Sequence, residues 1–227
     1  MNDALPRAVL WDLDGTLVDT AAQHMAAWSA VLTPRGVDFT RERFLGTFGR
    51  RNLDVLRDLL AEDLSEEMVR EIGGAKEEHF RALVRTGPLH MLPGSADWLR
   101  RLRETGWRQA IASSAPHANI AATLDGLALH GAFDAIAGEE DVTRGKPDPQ
   151  IFLVAAAKLG VPPHRAIVVE DAPAGVAAAR AAGMRVIGVR TGHGNLEADL
   201  VVDTLDLLLL DAFERLLAAP LPLPANR

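Results

Sequence analysis

Short runs of consecutive apolar residues, bounded by turn residues, recur along the chain and predict β-strands. The runs are residues 8–11, 109–112, 135–137, 166–169 and 186–189. Their hydrophobicity is continuous rather than alternating, which is typical of strands covered on both faces of a parallel sheet. Helical spacing of apolar residues marks segments 97–105, 149–159 and 173–182, and a glycine follows each of them. This alternation predicts a doubly wound α/β fold.

A long interval separates the first predicted strand from the second, and its apolar residues recur at helical spacing. The helical segments are 21–32, 41–45, 52–60 and 65–84. Helices inserted after one strand cannot lie within the sheet, so they must stand above the strand ends as a small domain. We therefore expect an α-helical cap domain over residues 18–91 and an α/β core domain over residues 1–17 and 92–227.

Composition and charge exclude several classes of function. The 227 residues include 31 acidic and 24 basic ones, a formal net charge of −7, without the Lys/Arg run that nucleic-acid backbones require. No cysteine is available for a disulfide or a thiolate nucleophile. The sequence begins without a basic stretch followed by an apolar run, and its apolar segments are interrupted by aspartates. We expect a cytoplasmic protein that binds neither nucleic acid nor membranes and, without a heptad pattern, is a monomer.

Two aspartates directly follow the first predicted strand. Asp12 and Asp14 lie two residues apart, so both can point to one side of the extended chain, and Gly15 permits a turn there. Close carboxylates repel, and they are tolerated when a cation lies between them or when one holds a proton. The alternative is an ordinary Asp-Gly turn. The polar residues at the other strand ends favour a functional site.

Polar residues also follow three of the other predicted strands. Ser113 and Ser114 follow the second, Lys146 lies beyond the third, and Glu170 and Asp171 end the fourth. Open α/β sheets bind ligands at the carboxyl ends of their strands, so these side chains should meet near the two aspartates. Together they offer acidic ligands for a cation, a positive charge and hydroxyl donors. That combination can hold a phosphoryl group.

These polar segments at the strand ends resemble the motifs of the haloacid dehalogenase superfamily of phosphotransferases. They occur in the same order, with a helical insert between the first and the second. The closest likeness is to its β-phosphoglucomutase-like and phosphoglycolate-phosphatase-like branch. Segment 12–16 resembles the first motif, Ser113 the second, Lys146 the third, and Glu170 with Asp171 the fourth. The resemblance covers nearly the whole chain. It implies a Rossmann-like core with an inserted helical cap.

The resemblance also implies a chemistry. Asp12 would be the nucleophile that forms an aspartyl-phosphate, and Asp14 would act as general acid and then general base. Mg²⁺ would be held by the Asp12 carboxylate, the main-chain carbonyl of Asp14 and Asp171, with Glu170 assisting directly or through water. The residues that would bind the phosphoryl oxygens are Ser113, Ser114 and Lys146.

The expected activity is hydrolysis of a small phosphate monoester, such as a sugar phosphate or a phosphoglycolate-like compound. Asp14 favours an ester, because the dehalogenases and phosphonatases of the superfamily lack a carboxylate there. Sugar phosphomutases carry a lysine directly before a cap glycine and an arginine three residues after it, whereas this chain has Leu45 and Gly49. A sugar phosphomutase is the first alternative. A catalytically silent binding protein on the same fold is the second.

Three residues of the predicted cap are candidate contacts for the rest of the substrate. His24 would donate to the substrate or to Asp14; the alternative is a histidine packed within its helix. Arg50 and Arg51 would bind a second anionic or hydroxylated group; the alternative is a solvated helix start.

Overall fold

A six-stranded parallel sheet forms the centre of the computed structural model. The model describes residues 6–47, 49–60, 64–192 and 194–219. In chain order the strands are β1 (Ala8–Trp11), β2 (Val18–Asp19), β3 (His90–Met91), β4 (Arg108–Ala112), β5 (Ala135–Ala137), β6 (Ala166–Glu170), β7 (Arg185–Val189) and β8 (Leu200–Val202). The sheet has the order β5-β4-β1-β6-β7-β8. The chain builds outward from β1 on one side and then on the other, which places a ligand-binding crevice at the end of β1.

Helices cover both faces of this sheet, which explains the continuous hydrophobicity of its strands. In chain order the helices are α1 (Ala21–Leu32), α2 (Arg41–Thr47), α3 (Asn52–Leu60), α4 (Glu66–Thr86), α5 (Ser95–Glu104), α6 (His117–Gly126), α7 (Gln150–Leu159), α8 (Pro173–Ala181) and α9 (Ala212–Ala218). Leu10 of β1 belongs to one core cluster with Phe152 of α7. Its neighbour Trp11 belongs to the opposite cluster with Trp98 of α5 and Phe213 of α9. The predicted doubly wound α/β fold is confirmed.

Helices α1 to α4 surround a hydrophobic cluster of their own. Its buried members include Trp28 of α1, Phe44 of α2 and Leu56 of α3. Strands β2 and β3 connect this helical segment to the core as an antiparallel ribbon, in which Val18 pairs with Met91. The predicted boundaries at 18 and 91 therefore lie opposite each other in one ribbon. Helix α4 also contacts α6 of the core.

Helix α6, strand β8 and helix α9 are elements that the sequence pattern did not predict. Buried polar residues, Asn119 and Thr123, interrupt the apolar face of α6 and hide its periodicity. Strand β8 has three half-buried residues at the edge of the sheet, too few for a clear pattern. Throughout the described part of the chain, no helix combines the length and the apolar character that a membrane span requires.

Candidate active site

The ends of three neighbouring strands bring the predicted site residues together. Asp12 directly follows β1, Ser113 follows β4, and Glu170 ends β6 with Asp171 after it. Strand β1 pairs in parallel with both β4 and β6, so these residues emerge at the same edge of the sheet. All four are buried. The sheet topology thus assembles carboxylates and a hydroxyl from distant parts of the sequence.

Lys146 brings a positive charge to two of these carboxylates. Its Nζ donates to Asp12 Oδ1 and to Glu170 Oε1, both at 2.6 Å. Burial alone lowers the pKa of Lys146, but the charges of Asp12 and Glu170 outweigh burial and leave that pKa above its ordinary value. The ammonium also lies 5.0 Å from the centre of the Phe152 ring, at the start of α7. Lys146 is therefore a cation at neutral pH, held in one place.

Asp12, Glu170 and Asp171 form a cluster in which one carboxylate oxygen from each lies within 4.8 Å of the other two. Asp171 Oδ1 accepts from Thr16 Oγ1 at 3.1 Å, but the buried Asp171 Oδ2 has no hydrogen-bond partner among the residues that the structure describes. A buried carboxylate oxygen without a donor is costly unless a cation or water meets it. Oxygen ligands of this kind suit Mg²⁺. The residues therefore fit the metal that the family resemblance implies.

This cluster carries more negative charge than Lys146 balances. Burial, opposed by Lys146 and assisted by the charge of Glu170, raises the pKa of Asp12 from 3.8 to about 7. Burial also raises the pKa of Asp171 well above its ordinary value, and the charges of Glu170 and Asp12 add to that effect. A cation among these groups would favour their ionised forms and lower both pKa values.

Asp14 is held by residues near and within α1. Thr20 Oγ1 donates to Asp14 Oδ1 at 2.6 Å, and His24 Nε2 lies 3.4 Å from the same oxygen. Burial raises the pKa of Asp14, but the contacts with His24 and Thr20 outweigh burial and leave it below 3.8. The pKa values of the two aspartates that follow β1 are therefore shifted in opposite directions, upward for Asp12 and downward for Asp14.

Behind His24 lies a second buried lysine, Lys76 of α4, which the sequence analysis missed. Lys76 Nζ lies 3.2 Å from His24 Nδ1 and donates to Glu77 Oε1 at 2.9 Å. An ammonium group only donates, so Nδ1 accepts and a neutral imidazole carries its proton on Nε2, which faces Asp14. Lys76 therefore sets the tautomer of the histidine beside Asp14.

Glu77 joins three helices through amide side chains that the sequence analysis also missed. Asn52 of α3 donates to Glu77 Oε1 at 2.7 Å, and Asn119 of α6 donates to Glu77 Oε2. Arg81 of α4 in turn donates to Asn119 Oδ1 at 2.9 Å. Burial raises the pKa of Glu77, but Lys76 and Asn52 outweigh burial and leave it below its ordinary value. Glu77 is thus an ionised carboxylate with donors on both oxygens.

One cavity, with a volume of about 50 Å³, lies between the helical segment and the strand ends. Its polar lining comprises Asp12, Asp14, Ser113, Ser114 and Asn119 from the core and His24, Thr47, Arg50, Asn52, Lys76 and Glu77 from the helical segment. The Arg50 guanidinium also donates to Asp58 Oδ2 at 2.6 Å. Arg51 lies outside this cavity, where it donates to the Thr143 carbonyl at 3.1 Å and its Nε lies 3.5 Å from Glu139. The cavity thus gathers the predicted substrate contacts His24 and Arg50 but not Arg51.

Comparison with protein families agrees with this geometry. The family model for haloacid dehalogenase-like hydrolases matches residues 6–183. The chain belongs to the haloacid dehalogenase-like hydrolase family. The predicted family is confirmed, and with it the prediction that the protein is an enzyme.

Individual relatives cover nearly the whole chain. The β-phosphoglucomutase of Bacillus subtilis (strain 168) is 35% identical over 210 residues, which are 89% of this chain and 92% of that protein. Hexitol phosphatase A of Escherichia coli (strain K12) is 34% identical over 206 residues, which are 88% and 92% of the two chains. The crystal structure of CbbY from Rhodobacter sphaeroides with phosphate has a TM-score of 0.82 and 31% identity, and it covers 92% of this chain and 100% of that one. These relatives include both a phosphomutase and a phosphatase.

Proposed function

We propose that the protein is a Mg²⁺-dependent phosphatase that hydrolyses a small phosphate monoester. The observation that carries this proposal is the different surroundings of two neighbouring aspartates: Asp12 bonds to Lys146 among acidic residues, and Asp14 bonds to Thr20 beside His24. Carboxylates in distinct environments can divide the roles of nucleophile and acid-base group between them. The similarity to a hexitol phosphatase supports a phosphorylated sugar or polyol as substrate.

In the first step, a carboxylate oxygen of Asp12 attacks phosphorus while the bond to the leaving oxygen breaks, which gives an aspartyl-phosphate and an alkoxide that takes a proton from Asp14. In the second step, Asp14 accepts a proton from water as the water oxygen attacks phosphorus. Inorganic phosphate and free Asp12 result. Asp14 is ionised before substrate binds, and a phosphate dianion beside it raises its pKa, so that it takes up a proton with the substrate.

The carboxylates of Asp12, Glu170 and Asp171 would hold Mg²⁺, together with the main-chain carbonyl of Asp14. The bound ion supplies positive charge that offsets the repulsion between an anionic nucleophile and a phosphate dianion. Lys146 adds a fixed positive charge beside the nucleophile. The core side of the cavity presents two hydroxyl groups to the phosphoryl oxygens, those of Ser113 and Ser114.

We also propose that residues 18–91 act as a cap domain that opens and closes. The cavity lies between the helical segment and the strand ends, and residues of both line it. Movement of the helical segment would widen access to the strand ends, and the β2–β3 ribbon that connects it to the core is the expected hinge. Closure would then exclude bulk water and bring His24 and Arg50 to the substrate.

A sugar phosphomutase is the second candidate, favoured by the similarity to β-phosphoglucomutase. Gly49 argues against it, because it lines the cavity with φ of +81° where mutases of this branch carry arginine. Incubation with β-glucose 1-phosphate and a bisphosphate primer distinguishes a phosphatase from a phosphomutase. We expect phosphate release to exceed isomerisation; the reverse result would establish the mutase.

The substitution Asp12→Asn tests the proposed phosphatase. It keeps the side-chain shape but removes the nucleophilic charge, so turnover of p-nitrophenyl phosphate with Mg²⁺ should fall by more than about a thousandfold. Circular dichroism and thermal unfolding check that the variant is folded. Undiminished hydrolysis by a folded variant would reject Asp12 as the nucleophile. Inactivity of the unaltered protein on a broad phosphate-ester panel would favour the silent binding protein.

A further inference from the structure

The cavity wall formed by Asn52, Lys76, Glu77 and Asn119, hereafter the distal wall, has no unbalanced positive charge. Among the described residues that line the cavity, the lysine and arginine side chains are Lys76 and Arg50. Lys76 Nζ lies 2.9 Å from Glu77 Oε1, and Arg50 lies 2.6 Å from Asp58 Oδ2. Each cation therefore already has a carboxylate partner.

Glu77 contributes a permanent negative charge to this wall. Its side chain is 8% exposed, and its two oxygens accept hydrogen bonds from Lys76, Asn52 and Asn119. These donors keep the carboxylate ionised despite burial. Because Glu77 already neutralises Lys76, a second anionic group on a substrate would find no unpaired cation at this wall to offset the cost of its burial.

The distal wall is well suited to hydroxyl groups. A hydroxyl can donate to a carboxylate oxygen and accept from an amide or an ammonium. Such groups are present in Glu77, Asn52, Asn119 and Lys76, which come from three different helices. A neutral polyhydroxylated chain can exchange hydrogen bonds with all of them without introducing a charge.

We propose that Glu77 is a specificity-determining residue that restricts the enzyme to monophosphates of uncharged sugars or polyols and disfavours substrates with a second phosphate or a carboxylate. This inference rests on the proposed phosphatase function. Among the substrates that the proposed phosphatase could hydrolyse, the inference favours sugar phosphates over phosphoglycolate. It also disfavours the bisphosphate that a sugar phosphomutase must retain.

Two matched pairs of substrates test the inference. Glucitol 6-phosphate is compared with glucitol 1,6-bisphosphate, and 2-hydroxyethyl phosphate is compared with 2-phosphoglycolate, with kcat/KM measured from released phosphate. We expect the neutral member to be preferred in each pair by more than about tenfold. Equal rates within both pairs, alongside Asp12-dependent hydrolysis of p-nitrophenyl phosphate, would overturn the inference and leave the phosphatase intact. Failure to hydrolyse any ester would reject the phosphatase and this inference with it.

Glu77→Gln should reduce this preference about tenfold by removing the charge at nearly constant shape. The matched control is Glu78→Gln, an exposed neighbour on the same helix, for which we expect no change in the preference. A folded Glu77→Gln variant with the unaltered preference would contradict the role of Glu77.

Asp58→Asn offers an independent test at an exposed position, should Glu77→Gln fail to fold. It releases Arg50 from its partner, so hydrolysis of the bisphosphate should rise relative to the monophosphate. An unchanged ratio would show that charge balance around the cavity does not select the substrate.

Discussion

Two buried lysines organise the two sides of the cavity, and the charges around them differ. Lys146 lies 2.6 Å from both Asp12 and Glu170, with Asp171 as a third carboxylate in the same cluster. Lys76 forms its ion pair, within the described part of the chain, with Glu77. The first group has an excess of negative charge and can hold a cation, whereas the second is balanced and suits a neutral ligand. We therefore expect the same residue type to support chemistry on one side of the cavity and recognition on the other.

The two groups also differ in how the fold holds them. The Lys146 group lies at the ends of adjacent strands and in the loop before α7, all within the core. The Lys76 group is distributed over α1, α3 and α4 of the helical segment, with Asn119 as its contact from the core. Reacting groups need fixed positions. In the proposed function, the recognition surface moves with the helical segment when substrate enters.

The largest expected difference between the groups concerns catalysis. Lys146→Met removes the charge beside the proposed nucleophile and should lower kcat/KM for p-nitrophenyl phosphate by about a hundred- to a thousandfold. The matched control is Lys158→Met, which removes a partly exposed lysine paired with Asp141 at 2.7 Å, and should leave turnover near that of the unaltered protein. Equal losses of kcat/KM in Lys146→Met and Lys158→Met would contradict a specific catalytic role of Lys146.

The next effect concerns stability. Lys76→Met leaves Glu77 buried without its cation, so the free energy of unfolding should fall by about 3 kcal/mol, measured by urea denaturation. The double variant Lys76→Met/Glu77→Gln should recover part of this loss, because it also removes the buried charge. Lys158→Met is again the control, with an expected loss below about 1 kcal/mol. A double variant less stable than Lys76→Met would contradict charge balance in this group.

A smaller effect follows from the pKa shifts in the Lys146 group. Folding raises the pKa of Asp12 from 3.8 to about 7, so the folded protein binds more protons than the unfolded chain between these values. The stability of the metal-free protein should therefore fall as pH rises from about 4 to about 7. Excess Mg²⁺ should reduce the fall because it favours the ionised carboxylates. Thermal unfolding as a function of pH, in EDTA and in excess Mg²⁺, measures this difference. If stability depended on pH in the same way under both conditions, the excess of negative charge in the Lys146 group would be contradicted.

The sequence predicted the fold and the Lys146 group because both depend on local signals. Continuous apolar runs mark strands covered on two faces, and polar residues directly after such runs must lie at one edge of the sheet. This places Asp12, Ser113, Glu170 and Asp171 together before any coordinates are known. The monomeric state and cytoplasmic location stay predictions.

The Lys76 group was missed because its contacts depend on how helices pack, which residue spacing alone does not determine. One signal was nevertheless present. Ile72, Lys76 and Phe80 follow one another at intervals of four, which places a lysine on the apolar face of α4 between two buried residues. A charge in that position requires a buried partner. The identity of the partners, Glu77 beside it and His24 from α1, emerges only from the packed structure.

The most direct test of the contrast between the two groups is a calorimetric titration of the protein with Mg²⁺. The unaltered protein and Glu77→Gln should bind one ion per chain with similar affinity, whereas Asp171→Asn should bind it more weakly by more than about tenfold. The assignment of the cation to the Lys146 group would be contradicted if Asp171→Asn bound Mg²⁺ as tightly as the unaltered protein. It would also be contradicted if Asp171→Asn and Glu77→Gln lost Mg²⁺ affinity equally.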